Sequence, residues 1–356
     1  MHTCHNHTCH NPLHCFLPPH IIDHLVTAED PEIRNIAVEN IAVAAAVRSV
    51  RTTLATMPMM SAIPSPARTK HRLVYDMEQK RETIFLPGKL VRSEGDPPVE
   101  DSAVNEAYDY SGTTYDFYKE IFDRNSLDNK GMELISSVHF GRNTNNAFFT
   151  GEQMLYGDGD GRIFLRFTKA LDVVAHELTH GVIMHESNLE YKNESGALNE
   201  HFADVMSALV KQWHLKQTVE EADWLMGDAL MAPNFPVKSI RTFKAEKAYE
   251  DVPNFGTDPQ PKHLRDKYTG SDDNGGVHIN SGIPNHAFYL VAMELGGKSW
   301  EKAGSIWYKT LKALSHDSNF QEAAKTTYII AGGDFGNNSI EQQAVRRAWD
   351  AVGITI

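Results

Sequence analysis

Cysteine is almost missing from this sequence. The 356 residues include 3, Cys4, Cys9 and Cys15, all within the first fifteen positions. A disulfide-stapled fold is thereby excluded for the main body. Apolar runs are short: the longest candidate, Ile41 to Val47, is alanine-rich and far below the ~20 residues a membrane helix needs, so no membrane span is expected. Positive charge is in deficit, with 34 Lys plus Arg against 47 Asp plus Glu and a net charge of -13. Nucleic acid, which needs a basic surface, is excluded as a partner. A secretory signal is not recognisable either, because residues 1–15 offer neither a basic n-region nor an apolar h-region. What remains is ordinary globular composition, 41% hydrophobic and 23% charged. The length suggests roughly two domains with some chain to spare.

Five zones follow along the chain. Residues 1–15 are a His/Cys tract carrying His2, His5, His7, His10 and His14 beside the three cysteines. Residues 16–52 open on Phe16-Leu17-Pro18-Pro19-His20, a stiff extended start. They then show helical periodicity at Ile21, Ile22, Leu25 and Val26, and again at Ile36, Ile41, Val43 and Val47. This unit is too small for a strong core and should lean on something larger. Residues 53–70 read as a linker, with Pro58, Pro64 and Pro66 and basic Arg68 and Lys70. A small helical unit before a loose linker is the pattern of a removable pro-segment; a permanently attached extension is the alternative. Residues 71–190 read as β-rich. Strands are expected at Leu73–Tyr75, Thr83–Leu86, Ile135–Phe140, Ala147–Phe149 and Met154–Tyr156, and an amphipathic helix over Tyr108–Arg124. Residues 191–356 are mainly helical. The fold class is α+β, a β-rich half followed by an α-helical half.

The strongest chemical signal is His176-Glu177-Leu178-Thr179-His180 in a helical stretch from Leu171. Residues i and i+4 share a helix face, so His176 and His180 can grip one zinc ion while Glu177 points at the adjacent open position. A third protein ligand is required. One class of site places a further histidine shortly downstream, but the matching positions are Ile183 and Glu186. His185 reads as an ordinary helix-end histidine. The other class takes a glutamate from a following helix, and Glu200 in Asn199-Glu200-His201-Phe202-Ala203-Asp204 supplies it. Asp204 lies on the same face, placed to accept the second N–H of a ligating histidine. A second cluster, Asp273-Asn274-Gly275-Gly276-Val277-His278, combines backbone freedom at the glycines with a histidine that Asp273 can hold. A positioned imidazole of this kind stabilises an oxyanion or protonates a leaving amine.

With these motifs the chain resembles the thermolysin-type (gluzincin) zinc metallopeptidases, in particular the protealysin-type branch with a short propeptide. The likeness rests on Asn146–Phe149, Tyr156–Gly161, Asp172–His180, Tyr191–Glu200 and the His278 stretch, in that order. It implies a cleft between the two halves with one catalytic zinc on His176, His180 and Glu200. It implies Glu177 as general base, Tyr191 and His278 as oxyanion donors, Asp273 behind His278 and Asp204 behind His176. Substrate-holding roles fall on Asn146, Ala147 and Arg241. The pocket for the residue on the amine side of the cut falls on Phe164, Phe167, Val173, Met226 and Ile240. The apolar character of these five predicts a hydrophobic residue there. Partners are then protein or peptide substrates and the chain's own propeptide, with Pro18-Pro19 as the plug of the cleft and self-processing expected. Relatives of this type are commonly exported, so secretion without a recognisable signal is expected, with retention in the cytoplasm as the alternative.

The chain departs from the family pattern at its paired calcium site. Lys211 and Leu225 stand where carboxylates belong, while Asp172, Asp223 and Asp228 remain. Calcium binding is expected to be lost or reduced, with the Lys211 ammonium answering the carboxylates in place of an ion. The His/Cys tract carries three open readings: Cys15 (or Cys9 or Cys4) as a thiolate that reaches the catalytic zinc, a separate metal site, or a polar end of no specific role. Two function classes besides a peptidase stand, a silent binding module and a metal-handling protein acting through the tract. The complete ligand-and-base set speaks against the first. Zinc stoichiometry without the tract separates the second.

Overall fold

The computed structural model describes residues 14–56 and 69–356, with no side-chain account of residues 14 and 49–56. The expected linker over 53–70 therefore lies largely outside the described residues, as does the His/Cys tract up to residue 13.

The N-terminal unit begins with a two-residue strand β1 (His14–Cys15), then helix α1 (Pro19–Leu25) and the long α2 (Pro31–Thr56). α2 runs past the expected boundary at 52. Proline stands at the first position of both helices, where its missing N–H costs nothing. As expected for so small a unit, it leans on the body. Ile21 and Leu25 are buried in the main core, and Val43 and Val47 pack with Met77, Phe140, Phe148 and Leu155. Asn40 bridges to the body by accepting from the Asn145 amide at 2.7 Å and donating to the Asn143 carbonyl at 3.1 Å. Arg162 pairs with Asp30 at 2.7 Å and with Glu32 at 3.0 Å.

The body opens with β2 (Arg72–Asp76), β3 (Lys89–Ser93), α3 (Ser102–Phe122), β4 (Leu134–Val138), β5 (Ala147–Phe149) and β6 (Met154–Tyr156). The sheet order is β1-β5-β6-β4-β2-β3, so the N-terminal strand extends one edge of the body's sheet. The expected strand over Thr83–Leu86 is instead a 3₁₀ turn at Thr83–Phe85. Its side chains find no partner sheet: Ile84 is 85% exposed and Phe85 50%. The edge strand is β3, whose charged Lys89 and Arg92 hid it from an apolar pattern. α3 starts six residues earlier than the periodicity suggested, because Asp101 caps it by accepting from the Ala103 amide at 2.8 Å.

The remainder is helical: α4 (Leu171–His185), α5 (Asn193–Leu215), a β7–β8 ribbon (Leu225–Met226 and Arg241–Thr242), α6 (Asp272–Asn280), α7 (Gly282–Leu295), α8 (Ala303–Ala313), α9 (Phe320–Phe335) and α10 (Ile340–Ala351). α4 and α5 are buried along nearly their whole length and form the wall between the two halves. On the outer side of α5, Lys211 Nζ lies 2.6 Å from Asp228 Oδ1, 3.3 Å from Asp223 Oδ2, 3.9 Å from Asp172 Oδ2 and 3.3 Å from the Leu225 carbonyl. Burial opposes its charge, yet Asp172, Asp228 and Asp223 together hold the ammonium well above its ordinary value.

His139, just past β4, clamps the start of α3 to the segment after β6. Its Nδ1 lies 2.8 Å from Asp158 and its Nε2 2.8 Å from Asp101. The bond to Asp158, aided by Asp101 against partial burial, raises its pKa from 6.5 to about 9. The folded value exceeds the unfolded one, so this stabilisation is fully present below pH 6.5 and is lost as pH rises through about 9. His139→Gln is accordingly expected to be less stable than wild type in denaturant titrations below pH 6.5, with the difference closing above pH 9.

Candidate active site

α4 carries His176, Glu177 and His180 on one face, and the packing of α5 against it brings Glu200 to them. His176 Nε2 and His180 Nε2 are 3.1 Å apart. Glu200 Oε2 lies 3.4 Å from the first, and Glu200 Oε1 lies 3.5 Å from the second. Bonds of ~2.1 Å at tetrahedral angles separate ligand atoms by about 3.4 Å, so these three edges match one zinc ion. Among the described residues this is the one group of His, Cys, Asp and Glu that converges in this way.

Each ligand is held from behind. His176 Nδ1 lies 2.9 Å from Asp204 Oδ1, and His180 Nδ1 lies 2.9 Å from Asn199 Oδ1. Asp204 also accepts from Arg241 Nη2 at 2.9 Å and from Asn285 Nδ2 at 2.9 Å. Asn285 is oriented in turn. Trp307 Nε1, which can only donate, bonds His201 Nε2 at 2.8 Å. That leaves Nδ1 as the proton-bearing nitrogen, donating to Asn285 Oδ1 at 2.7 Å, and turns the amide Nδ2 toward Asp204. Burial lowers His201 to about 4, consistent with a neutral ring. Asn199, Asn285, His201 and Trp307 were not named as site residues from sequence. Only Asn199 and His201 carried a local signal, their places on either side of Glu200.

The electrostatics favour bound positive charge. Burial would raise the Glu200 carboxyl, but His278, His180 and His176 hold it well below its ordinary value. Burial likewise opposes ionisation of Asp204, while Arg241 and His176 bring it to about 2. Glu177 is different: burial pushes it up to about 8, with only a partial offset from His176. Neither of its oxygens has a hydrogen-bond partner of standard geometry, although the Phe149 amide exerts a weak downward pull. An ionisable group buried and aimed into a cleft without a partner is suited to taking a proton from something that enters.

Across the cleft, His278 Nδ1 lies 2.6 Å from Asp273 Oδ1, and the His278 amide donates to Asp273 Oδ2 at 2.7 Å. The backbone runs left-handed from Asp273 to Gly276, which curls the carboxylate back onto its histidine. Gly275 takes φ +86°, and a side chain there would also meet Asn193 Oδ1 at 2.3 Å, so the position favours glycine. Tyr191 OH donates to Glu200 Oε1 and lies 3.2 Å from His278 Nε2.

The substrate-holding residues predicted from sequence surround a segment of the chain itself. The Phe16 amide donates to the Ala147 carbonyl at 3.4 Å, and the Leu17 amide donates to Asn146 Oδ1 at 3.0 Å. Arg241 Nη1 donates to the Phe16 carbonyl at 2.9 Å, and its guanidinium lies 4.5 Å from the Phe16 ring centre. The ring meets His176 edge-on at 5.3 Å. It also covers Gly227, where a side chain would come within 2.9 Å of Phe16 Cε1 and 3.0 Å of Ile240 Cγ1. Val173 and Met226 are buried on α4 and β7, while Phe164 and Phe167 are buried in an aromatic group with Phe255.

Two expectations about this segment are corrected. The contacts expected of Pro18 and Pro19 are made by Cys15-Phe16-Leu17 instead: Pro18 caps α1 and Pro19 opens it, because pairing with β5 and Asn146 uses backbone N–H groups that proline lacks. The Cys15 thiol is not among the converging metal donors. It donates to the Leu17 carbonyl at 3.6 Å, and it is the Cys15 main-chain carbonyl that meets His278 Nε2, at 3.1 Å.

Comparison with known proteins bears on this arrangement. Residues 62–184 match the family described as thermolysin metallopeptidase, catalytic domain, and residues 187–354 match its alpha-helical domain. The break falls between α4 and α5. An extracellular metalloprotease of Pectobacterium carotovorum is 50% identical over 293 residues, 82% of this chain and 83% of that protein. A thermolysin of Alicyclobacillus acidocaldarius is 37% identical over 285 residues, 77% of this chain and 50% of that protein. The solved precursor of protealysin, a metalloproteinase from Serratia proteamaculans, superposes with a TM-score of 0.86 at 44% identity, covering 96% of this chain and all of that one.

Asn285→Ala is expected to weaken metal affinity by about tenfold, measured by chelator competition, because it removes one of the two donors, Asn285 and Arg241, that orient Asp204 behind His176.

Proposed function

Because the chain belongs to the thermolysin metallopeptidase family, we propose that it is a zinc-dependent endopeptidase held latent by its own N-terminal segment and cutting before hydrophobic residues. The observation that carries this reading is Phe16. An extended piece of peptide lies in the cleft, paired antiparallel to β5, with an apolar side chain on Gly227 and Ile240 and its carbonyls on His278 and Arg241.

His176, His180 and Glu200 would hold a zinc ion, which when bound would supply Lewis acidity to the scissile carbonyl and to an attacking water. Glu177 accepts the proton of that water and passes it to the leaving nitrogen. His278 Nε2 and the Tyr191 hydroxyl donate to the carbonyl oxygen as it gains charge. Asp273 keeps the His278 ring protonated and aimed: burial opposes its charge, but Glu200 and Asp273 hold it well above the ordinary histidine value. Arg241 grips the next carbonyl, and Asn146 and Ala147 keep the substrate extended. Residues 16–52 act as the inhibitory propeptide, and the segment 53–70 is the region cut on maturation. The two catalytic halves are residues 71–190 and 191–356. Among the described residues no helix is long and apolar enough to cross a membrane. The Pectobacterium carotovorum relative is named as extracellular, which supports export of this chain.

Lys211 takes the place of a cation among Asp172, Asp223 and Asp228. An ammonium tethered to α5 answers these carboxylates without an ion. Added calcium is therefore expected to leave the thermal melt unchanged, and a steep rise with calcium would refute the assignment.

The central test is Glu177→Ala beside wild type. Both are expected to hold one zinc per chain, also after deletion of residues 1–15. Turnover of a quenched peptide with an apolar residue on the amine side is expected to fall by at least about 100-fold in Glu177→Ala. Comparable turnover in the two proteins would sink the mechanism.

A further inference from the structure

The segment in the cleft does more than block it: its register places one of its own bonds at the reacting position. Three contacts set the register. The carbonyl that meets His278 Nε2, at 3.1 Å, belongs to Cys15. The carbonyl that Arg241 grips, at 2.9 Å, belongs to Phe16. The apolar ring between those two contacts is that of Phe16, wholly buried against His176, Gly227 and Ile240. The strand is antiparallel to β5, with Cys15 opposite Phe148 and the Phe16 amide on Ala147. The bond between the oxyanion donor and the apolar pocket is therefore Cys15–Phe16.

Both sides of that bond are clamped. The Cys15 side chain packs with Val43 and Val47 of α2 and with Phe140, Phe148 and Leu155 of the body. On the other side the chain turns at once into α1, whose Ile21 and Leu25 are buried and whose His20 Nε2 lies 2.9 Å from Tyr249 OH. Immobilisation of a bond at catalytic groups is a large part of what an active site provides.

We infer that the chain cuts its own Cys15–Phe16 bond, in its own cleft, as a processing step separate from removal of the propeptide. This rests on the peptidase reading above. Water adds across the amide: hydroxide goes to the Cys15 carbonyl carbon, the C–N bond breaks, and the proton goes to the Phe16 nitrogen. The products are a peptide ending in a Cys15 carboxylate and a chain beginning with a Phe16 ammonium. The released piece is the His/Cys tract, with His2, His5, His7, His10, His14 and all three cysteines. Phe16 stays behind, tied down through α1 and α2, so this cut sheds the tract without emptying the pocket.

Zinc-loaded full-length wild type and Glu177→Ala are followed by intact mass and N-terminal sequencing. The expected result is a chain starting at Phe16 in wild type alone, formed at a rate independent of protein concentration. A rate that rises with concentration overturns cleavage in the chain's own cleft. Phe16→Asp is expected to slow this cut at least about tenfold; an unchanged rate overturns the register. Turnover of a quenched peptide is read separately, after maturation with a trace of a serine protease. Turnover with the 15–16 bond left intact overturns this inference and leaves the peptidase reading standing; neither reaction overturns both. One readout needs no catalysis. In zinc-free Glu177→Ala, the Phe16 and Leu17 amides are expected to exchange at least about 100-fold more slowly than in an unfolded chain. Unprotected amides overturn the placement.

Discussion

The cleft depends on one constraint: α4 and α5 pack so closely that the ionisable groups on their facing sides are sealed from water. His176, His180, Glu200 and Asp204 are all essentially unexposed. A buried charge costs several kcal/mol unless it is answered where it stands. Each of these four groups has its answer, whereas Glu177 is left without one. Asp204 has Arg241 and Asn285, the two imidazoles have Asp204 and Asn199 behind them, and Glu200 faces both rings. Two imidazole nitrogens turned toward each other and toward a carboxylate form a hole for a cation, and a small dication satisfies all three at once. The helices are thus held by polar contacts in addition to the apolar residues around them. The position of the ligands follows from the packing of the wall.

The N-terminal segment exploits the same wall from the open side. It adds a strand to the edge of the sheet, and main-chain hydrogen bonds of that kind bind peptide of almost any sequence. Selectivity then falls to the side chain that meets the pocket, and Phe16 fills it. Because the segment is tethered through α1 and α2, its effective concentration at the cleft far exceeds that of a free peptide. Asn40 and the Arg162 pairs with Asp30 and Glu32 anchor the helices that keep it there.

Lys211 shows how one residue can alter the economy of a family fold. Asp172 is 2% exposed and would be costly to leave alone. A metal ion answers such a cluster only where the ion is abundant, whereas an ammonium on α5 arrives with folding.

Much of this was legible in the sequence, and what was legible was local. A His-to-His spacing of four is a helix-face relation, so His176 and His180 could be paired without a structure. Asp273 and His278 lie five residues apart in a glycine-rich turn, and Glu200 with Asp204 is again one helix face. The helices were readable wherever apolar residues recur at helical spacing. Thr83–Leu86 has the residue types of a strand yet Thr83–Phe85 forms a 3₁₀ turn, because residue type reports strand preference but not whether a neighbouring strand exists. Other features needed distant parts of the chain to meet. The line from Trp307 through His201 and Asn285 to Asp204 joins residues 106, 84 and 81 positions apart, and no spacing rule marks it. The occupant of the cleft was likewise settled by tertiary structure. Pro18-Pro19 draws the eye in the sequence, yet the edge of β5 offers a carbonyl to be met by an N–H. The Phe16 amide donates to it and the Leu17 amide donates to the Asn146 side chain beside it, and proline can do neither.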